Sequence, residues 1–210
     1  MFTGIVQNLG KVVKYSNGEL EISTLLDLSY CKIGSSICCN GVCLTATEIN
    51  SHDGQFVFKV NIGEETQQRT NFSPNLFNKL IYINIERSLI VGDEISGHFV
   101  YGHVDCTTKI KKIIKLKNSW EFYFENFQNE DKKFIVEKGS IAINGISLTI
   151  AKEDNKNFSI SVIPHTFENT NLKYLNIEDF VNVEFDYFAR FLTNDRSSWI
   201  IIKIILKFRP

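Results

Sequence analysis

The most constraining feature of this 210-residue sequence is an internal repeat whose copies lie about a hundred residues apart. Asn40-Gly41-Val42-Cys43-Leu44-Thr45 returns as Asn144-Gly145-Ile146-Ser147-Leu148-Thr149, with four of six positions identical. Further echoes keep the same order: Gly4-x-Val6 with Gly102-x-Val104, Thr66-x3-Thr70-Asn71 with Thr166-x3-Thr170-Asn171, and Asn84-x-Glu86 with Asn182-x-Glu184. The offsets of 98 to 104 residues differ by insertions that surface loops absorb. The repeat predicts a duplicated fold with two related pockets, which suits a reaction between two molecules of one compound.

Short segments with a period of two dominate both copies. They are rich in Ile, Val, Phe and Thr and are bounded by Gly, Asn or Asp, which is typical of antiparallel strands. The strands are predicted at 10–15, 20–23, 36–39, 55–61, 80–86, 119–127, 140–143, 147–152, 157–163 and 180–185. Asn40-Gly41 and Asn144-Gly145 are hairpin dipeptides, because both residue types tolerate a positive φ. Helical turns are predicted near 64–71 and 165–171.

About six strands per copy, closed on themselves, would leave no exposed sheet edge. The predicted fold is therefore all-β, with two similar six-stranded Greek-key barrels in tandem and a C-terminal helical tail. The predicted domains are residues 1–97 and 98–188, and residues 189–210 form a predicted oligomerisation segment. The apolar run at 199–206, interrupted by Lys203, is too short to span a bilayer. Burial against another subunit is favoured over membrane attachment.

Composition narrows the choice of partners and compartment. The apolar fraction of 43% and the charged fraction of 22% are typical of a soluble globular protein, and a net charge of -1 supplies no basic field for nucleic acid. The N-terminus lacks the pattern of an export signal, so a cytoplasmic location is predicted.

The five cysteines are Cys31, Cys38, Cys39, Cys43 and Cys106. Their odd number and the absence of paired C-x2-C spacings argue against a disulfide scaffold and a zinc ribbon, and no metal site is predicted. Reduced, mostly buried thiols are expected. Because Cys38 and Cys39 lie on a strand of alternating faces, one should be buried and the other closer to a pocket rim.

Four ordered motifs resemble the riboflavin synthase alpha-chain family over residues 1 to about 190. They are the opening Met-Phe-Thr-Gly-Ile-Val, the two Asn-Gly motifs, and Ser96-Gly97-His98-Phe99-Val100-Tyr101-Gly102-His103-Val104. The resemblance implies two barrels per chain, a homotrimer and no cofactor. It also implies that two molecules of 6,7-dimethyl-8-ribityllumazine exchange a four-carbon unit, giving riboflavin and 5-amino-6-(D-ribitylamino)uracil. The active site would lie between the N-terminal barrel of one subunit and the C-terminal barrel of its neighbour. Whether a lumazine synthase is a further partner stays open.

The resemblance also implies the residues of both pockets. The first-copy pocket would be lined by Gly4, Ile5, Val6, Ser36, Cys43, Leu44, Thr45, Asn61, Ile62, Gly63, Glu64, Glu65 and Thr66. The second-copy pocket would be lined by Gly102, His103, Val104, Lys138, Ser147, Leu148, Thr149, Ile163, Pro164, His165, Thr166, Phe167 and Glu168. Phe2 would stack on a bound ring, and Asn84, Lys138, Asn144 and Asp186 would add polar contacts.

These residue types suit a flat, electron-poor ring that carries a polyol chain. Glycines let the main chain approach closely, and threonine hydroxyls supply directional hydrogen bonds on an apolar wall. A single threonine, taken alone, is more often a cross-strand filler. The combination of the motifs in both copies favours the functional interpretation.

The expected reaction begins when the acidic C7 methyl of one lumazine loses a proton and continues when a nucleophile adds to C7 of the other. Our hypothesis places the deprotonated molecule in the second-copy pocket, with Ser147, Thr149 and His103 near the exchanging protons. His103 suits proton transfer because an ordinary histidine titrates near neutrality, and a core histidine is the alternative. His98 is interpreted as structural. Cys43 could add to C7 or contact the ring, and contact is favoured because no cation adjoins it in the sequence.

Two other functions are compatible with such a fold. The first is a non-catalytic lumazine- or flavin-binding antenna protein with one working pocket. The second is an assembly module that binds no small molecule. The intact motifs in both copies favour the enzyme, because an assembly module does not explain Gly and Thr at matched pocket positions.

Overall fold

A computed structural model of the chain describes residues 1–73, 77, 81–127 and 130–194. The first copy forms a closed antiparallel barrel. Its strands are β1 (Asn8–Ser16), β2 (Glu19–Thr24), β3 (Ser36–Cys39), β4 (Val42–His52), β5 (Gln55–Asn61) and β6 (Tyr82–Arg87), and helix α1 (Glu64–Arg69) follows β5. The strands pair around the barrel in the order β1-β2-β5-β4-β3-β6.

The second copy repeats this barrel. Its strands are β7 (Cys106–Lys115), β8 (Trp120–Glu125), β9 (Ser140–Ile143), β10 (Ile146–Glu153), β11 (Asn157–Val162) and β12 (Phe180–Phe185). Helix α2 (Pro164–Asn169) lies between β11 and β12, and helix α3 (Tyr187–Asn194) follows β12. The strand order β7-β8-β11-β10-β9-β12 is that of the first barrel, so the predicted pair of six-stranded barrels is confirmed.

Each barrel has its own core, which the alternation of its strands produces. Ile37, Cys39, Val42 and Leu44 point into the first barrel, whereas the intervening Cys38 and Cys43 point outward. Ile141, Ile143, Ile146 and Leu148 fill the equivalent positions of the second barrel. Fully burying one such side chain contributes about 1.5–3 kcal/mol, so each barrel closes around a core made largely from its own strands.

The two Asn-Gly turns meet at the contact between the barrels. Asn40 and Asn144 both have a φ of 47°, and Gly41 and Gly145 have φ values of 82° and 76°, as the hairpin prediction requires. A Cβ atom on Gly41 would lie 2.7 Å from the backbone nitrogen of Gly145, and the reverse distance is also 2.7 Å. Only glycine at both positions permits this approach.

Six buried asparagines, three from each copy, join the barrels: Asn40, Asn71, Asn84, Asn144, Asn171 and Asn182. The Nδ2 of Asn84 donates to the carbonyl oxygen of Asn144 (2.9 Å), and the Nδ2 of Asn182 donates to that of Asn40 (2.8 Å). Asn84 and Asn144 are 2% and 0% exposed. Their predicted contact with a substrate is therefore wrong, because both side chains are buried at the contact between the barrels.

The segments before β1 and before β7 cross between the barrels. Phe2 forms an antiparallel bridge with Val100, its equivalent in the second copy. The carbonyl oxygen of Gly4 accepts a hydrogen bond from the Ser147 nitrogen (2.8 Å), and that of Gly102 accepts from the Cys43 nitrogen (2.9 Å). Each crossing segment therefore lies against the Asn-Gly hairpin of the opposite copy.

Phe2 lies beneath this crossing. Its side chain is fully buried with Cys38, Val100 and Ala142. The predicted stacking of Phe2 on a bound ring is wrong, because a ring buried between the barrels presents no face to a ligand.

The helices agree with the sequence where the structure describes them. Helices α1 and α2 occupy the predicted helical turns, and α3 lies at the start of the predicted helical tail, where Phe188, Phe191 and Leu192 are exposed. The predicted apolar run at 199–206 lies outside the described residues. Among the helices described, none has the length and apolarity that a bilayer crossing requires.

Candidate active site

Two buried carboxylates hold the crossing segments in place. Glu86 on β6 accepts hydrogen bonds from the backbone nitrogens of Thr3 (2.7 Å) and Gly4 (3.0 Å). Glu184 on β12 accepts from the nitrogens of Tyr101 (2.7 Å), Gly102 (2.8 Å) and His103 (3.0 Å). Burial raises the pKa of both carboxyl groups, and the N–H donors oppose that rise. The recurrence of Asn-x-Glu in both copies is visible in the sequence, but it did not predict that the two glutamates bind backbone N–H groups.

The first cleft, a cavity of about 250 Å³, combines residues from both halves of the chain. Its lining consists of Val42, Cys43, Glu65, Thr66, Arg69, Thr70, Gly102, His103 and Val104. The predicted assignment of Gly102, His103 and Val104 to the second-copy pocket is therefore wrong. The Glu184 carboxylate accepts a hydrogen bond from the Gly102 nitrogen, and the Gly102 carbonyl oxygen accepts one from the Cys43 nitrogen. These two hydrogen bonds hold the segment against the first hairpin.

The second site, around Ser147 on β10, has the equivalent arrangement with the roles of the two copies exchanged. A Cβ on Gly4, whose φ is +75°, would lie 2.7 Å from the Ser147 Cβ, and Val6 packs against the second core. The equivalent Gly102, with a φ of +78°, lies as closely against Cys43. Gly4, Ile5 and Val6 thus adjoin the second-copy hairpin, which corrects their predicted place in the first-copy pocket.

A histidine and a serine pair at the second site. The Nδ1 of His98 lies 2.7 Å from the Ser147 Oγ. Burial lowers the pKa of His98, and the negative charge of Asp186 opposes that change. A neutral His98 ring can accept the hydroxyl proton, so this pair is equipped to move a proton. His98 and Ser147 are 49 residues apart in the sequence, and only the tertiary fold brings them together, so the interpretation of His98 as structural did not include this contact.

The predicted cluster of His103, Ser147 and Thr149 does not form within one chain. His103 is exposed at the first cleft, whereas Ser147 and Thr149 lie on β10 at the second site. The crossing of the segments separates them. Within one protomer, His98 is the histidine that contacts Ser147.

Strand alternation decides which hairpin side chains can face a ligand. Leu44, Ile62 and Leu148 are 4%, 4% and 9% exposed and belong to the barrel cores, so their side chains point away from the clefts and their place in the pocket linings stays a prediction for their backbone atoms. Thr45 and Thr149 are exposed on the outer face of their strands. Their role in binding stays a prediction.

The remaining predicted residues lie around the two sites on accessible segments. On the first barrel these are Ser36, Asn61, Gly63, Glu64, Glu65 and Thr66; on the second they are Lys138, Ile163, Pro164, His165, Thr166, Phe167 and Glu168. Phe167 stacks on Trp120, with ring centroids 4.0 Å apart, which makes it part of the wall of the second barrel. Asp186 accepts a hydrogen bond from the Phe188 nitrogen at the start of α3 (2.9 Å). Binding by all of these residues stays a prediction.

Both cysteines of the β3 strand are buried, which corrects the expectation that one lies near a pocket rim. Cys39 lies in the first barrel core, and Cys38 lies between the barrels. Cys43 is partly exposed at the first cleft. Across the part of the chain that the structure describes, no three His, Cys, Asp or Glu side chains gather in a way that could hold a metal ion.

Comparison with known proteins identifies the family. The family model of the lumazine binding domain matches the chain twice, over residues 3–88 and 101–186. The riboflavin synthase of Actinobacillus pleuropneumoniae is 35% identical over 196 residues, covering 91% of this chain and 88% of that protein. The chain belongs to the riboflavin synthase family. Riboflavin synthases of Saccharomyces cerevisiae (38% identical, 89% and 82% covered) and Escherichia coli (35%, 89% and 87%) are similarly related.

Solved structures share the fold of this riboflavin synthase family member. LumP complexed with riboflavin superposes with a TM-score of 0.73 at 21% identity, covering 88% of this chain and 99% of LumP. LumP complexed with 6,7-dimethyl-8-(1'-D-ribityl) lumazine gives a TM-score of 0.71 at 22% identity. At these identities the likeness establishes the duplicated barrel fold alone.

Proposed function

We propose that this chain is a riboflavin synthase. It converts two molecules of 6,7-dimethyl-8-ribityllumazine into riboflavin and 5-amino-6-(D-ribitylamino)uracil by transferring a four-carbon unit. The observation that carries the proposal is the matched pair of sites, each built from an Asn-Gly hairpin of one copy and a glycine-containing segment of the other. Homology to riboflavin synthases over 91% of the chain supports the same reaction.

Each site offers what a flat heterocycle needs. The backbone of each crossing segment lies against a hairpin strand, and hydroxyl side chains such as Thr66 adjoin the cleft. Such groups supply directional hydrogen bonds on an apolar wall. Cys43 lines the first cleft, where it contacts the ring of the bound lumazine, and Ser147 takes the equivalent place in the second site.

Proton transfer is assigned to the second site. The Ser147 hydroxyl bonds to His98, and the lowered pKa of His98 keeps its ring neutral and able to take a proton at pH 7. The lumazine that loses the C7 methyl proton is placed here. His103, exposed at the first cleft, serves the other lumazine.

We further propose a homotrimer with each active site between two subunits. Helix α3 supports this, because Tyr187, Phe188, Phe191 and Leu192 are all at least half exposed on it. The first cleft of one subunit would face the second site of its neighbour, which brings His103 and Ser147 to one pair of substrates. Holding two reactants together in this way is worth about 7–11 kcal/mol. The proposal includes a division of the two domains at residue 97 and a cytoplasmic location.

The direct test is an activity assay. Purified full-length protein is incubated with 6,7-dimethyl-8-ribityllumazine, and riboflavin is followed by its absorbance and fluorescence. We expect one riboflavin for every two lumazines consumed. The proposal is wrong if lumazine binds but no riboflavin forms.

A lumazine- or flavin-binding antenna protein is the second candidate, because LumP, which shares the fold, is complexed with riboflavin or with a ribityl lumazine in its solved structures. The two candidates differ in ligand stoichiometry. Two lumazines per chain, measured by calorimetry, support the enzyme, and one supports the antenna protein.

A further inference from the structure

Two cysteines face each other across the first hairpin. Cys38 on β3 and Cys43 on β4 are register partners, and both are free thiols. The Cys43 nitrogen donates to the Gly102 carbonyl oxygen, away from β3, so the two cysteines exchange no backbone hydrogen bonds. Cα atoms in such a pair lie about 4.5 Å apart, within the range of about 4.4–6.8 Å that disulfides span. The backbone is therefore already placed for a bond between them.

Both side chains also lie on the same face of the sheet. Their chain neighbours Cys39 and Val42 point into the first barrel core. Cys38 and Cys43 point outward and pack together with Phe2, Val100 and Ala142. Cys38 is 2% exposed, whereas Cys43 is partly exposed and lines the first cleft. The Cys43 thiol is thus reachable from the cleft, and the Cys38 thiol is buried on the same face of the sheet at the partner position of the neighbouring strand.

The second copy shows that the fold does not require this pair. The equivalent register partners on β9 and β10 are Ala142 and Ser147. Ser147 bonds to His98 there, and no thiol stands at either position. The cysteine pair is therefore a property of the first cleft alone.

We propose that Cys38 and Cys43 are an oxidation site at which peroxide forms a reversible disulfide inside the first cleft. The Cys43 thiol gives up its proton as its sulfur attacks one peroxide oxygen, the O–O bond breaks, and the leaving hydroxide takes up that proton, which gives a Cys43 sulfenic acid and one water. The Cys38 sulfur then attacks the Cys43 sulfur, and the S–O bond breaks as a second water leaves with the Cys38 proton. Two thiols lose two electrons in total, and one peroxide is reduced to two waters.

The surroundings decide the order of these steps. Burial raises the pKa of the Cys38 thiol well above its ordinary value, and the nearby Glu86 adds to the rise. Cys38 is therefore the less reactive and less accessible thiol toward peroxide, and Cys43, which lines the cleft, is oxidised first. A cysteine accessible to oxidant with a resolving cysteine beside it is the usual arrangement of a redox-sensitive site.

The disulfide draws the Cys43 sulfur from the first cleft toward Cys38. The wall that contacts a ligand changes, and turnover falls in proportion to the oxidised fraction. This consequence for turnover rests on the proposed function, whereas formation of the disulfide does not.

The experiment maps the bond in the full-length protein. Reduced protein is treated with hydrogen peroxide, and free thiols are then blocked by alkylation. Trypsin leaves Cys38, Cys39 and Cys43 together in the peptide 33–59, so the peptide is also cleaved with hydroxylamine at Asn40-Gly41. We expect the two fragments to stay joined until dithiothreitol is added. The proposal is overturned if Cys43 is alkylated after peroxide treatment, or if the fragments separate before reduction.

Variants taken from the repeat itself supply the controls. Cys38→Ala introduces the residue of the equivalent position 142, and it should keep the activity of the reduced protein while losing the link. Cys39→Ala, on the opposite face of the same strand, should still form it. A link that persists in Cys38→Ala but disappears in Cys39→Ala would assign the bond to Cys39 and overturn the proposal.

Activity is measured on the same samples. The reduced protein is assayed first, so a failure of the proposed enzymatic function is seen before any oxidant is added. Riboflavin formation should then fall with the linked fraction and return with dithiothreitol. Full turnover by fully linked protein would show that the disulfide does not control the cleft.

Discussion

At the scale of single residues, equivalent positions of the two copies have acquired different chemistry. Cys43 and Ser147 occupy the same place on their hairpins, and each donates its backbone N–H to the carbonyl oxygen of a crossing segment. Only Ser147 is bonded to a histidine. The two sites are therefore related in shape but unequal in their capacity to move a proton, as a reaction between two unequally activated molecules requires.

His103 gives the first prediction at this scale. Replacing His103 by Gln removes a group able to transfer protons at the first cleft, so we expect the turnover number to fall about 10²-fold. Lumazine affinity should change little, because the backbone of this segment remains held by Glu184. Steady-state kinetics and equilibrium titration separate the two quantities. His52→Gln is the control, since that side chain is 92% exposed on the opposite hairpin; equal turnover in both variants would remove His103 from the mechanism.

His98 gives a prediction about pH. Because burial lowers the pKa of His98 in the folded protein below its ordinary value of 6.5, the stability contributed by the neutral ring is fully present above pH 6.5. That stability is lost as the pH falls through the lowered pKa, since the unfolded chain then binds a proton that the folded chain resists. Urea unfolding at a series of pH values should show this loss in the wild type. His98→Gln should lose less stability over the same interval; an unchanged pH dependence would contradict the assignment.

At the scale of elements, the two Asn-Gly hairpins are both strand connections and contacts between barrels. The buried carboxylates on β6 and β12 and the asparagines beside them complete this arrangement. An element that closes one barrel thereby also fixes the position of the other. A change at such a turn should cost more than the same change at a turn that touches nothing.

Two glycines test this directly. Gly41 and Gly54 both have positive φ, 82° and 76°, but a Cβ on Gly54 would meet nothing within 4 Å. Gly54→Ala should therefore cost only the backbone strain, about 1–2 kcal/mol. Gly41→Ala adds an overlap with Gly145 and should cost about 1–3 kcal/mol more. Urea unfolding measures the free energy of unfolding of both variants. Equal losses of stability would mean that the close approach of Gly41 to Gly145 does not contribute to stability.

At the scale of the whole molecule, neither half of the chain forms a complete site by itself. The first cleft takes His103 and Val104 from the second half of the chain, and the second site takes Gly4 from the first. In the proposed trimer, residues from two subunits likewise complete each active site. Helix α3 is suited to join the subunits, because its apolar side chains are exposed on a single protomer.

Helix α3 provides the prediction at this scale. Phe188 and Phe191 are each 61% exposed, and replacing both by Ser removes apolar surface that another subunit would cover. We expect light scattering to show a shift from trimer to monomer, with a loss of riboflavin formation that higher protein concentration partly restores. Val13→Ser, at a position 53% exposed on β1, should leave both unchanged. A monomeric variant with full turnover would exclude an active site between subunits.

Local pattern was sufficient for most of the architecture. The offset of about a hundred residues between motifs predicted two equivalent barrels, and the Asn-Gly dipeptides predicted the two turns. Strands β4 and β7 were not among the predicted strands. Both contain a register shift, at Ala46/Glu48 and at Ile110/Lys112, and beyond it none of their side chains is buried, so no buried apolar residues mark every second position there.

The sequence by itself determined the duplication, the barrel type and the chemical character of the residues on each hairpin, because these follow from short-range alternation and turn preference. Only the tertiary structure decided which crossing segment completes which site, why Phe2, Asn84 and Asn144 are buried, and that Cys38 is buried beside Cys43. The reason is physical: these contacts join residues that are distant in the chain. They depend on how one barrel is rotated against the other, and alternation along a strand carries no information about that rotation.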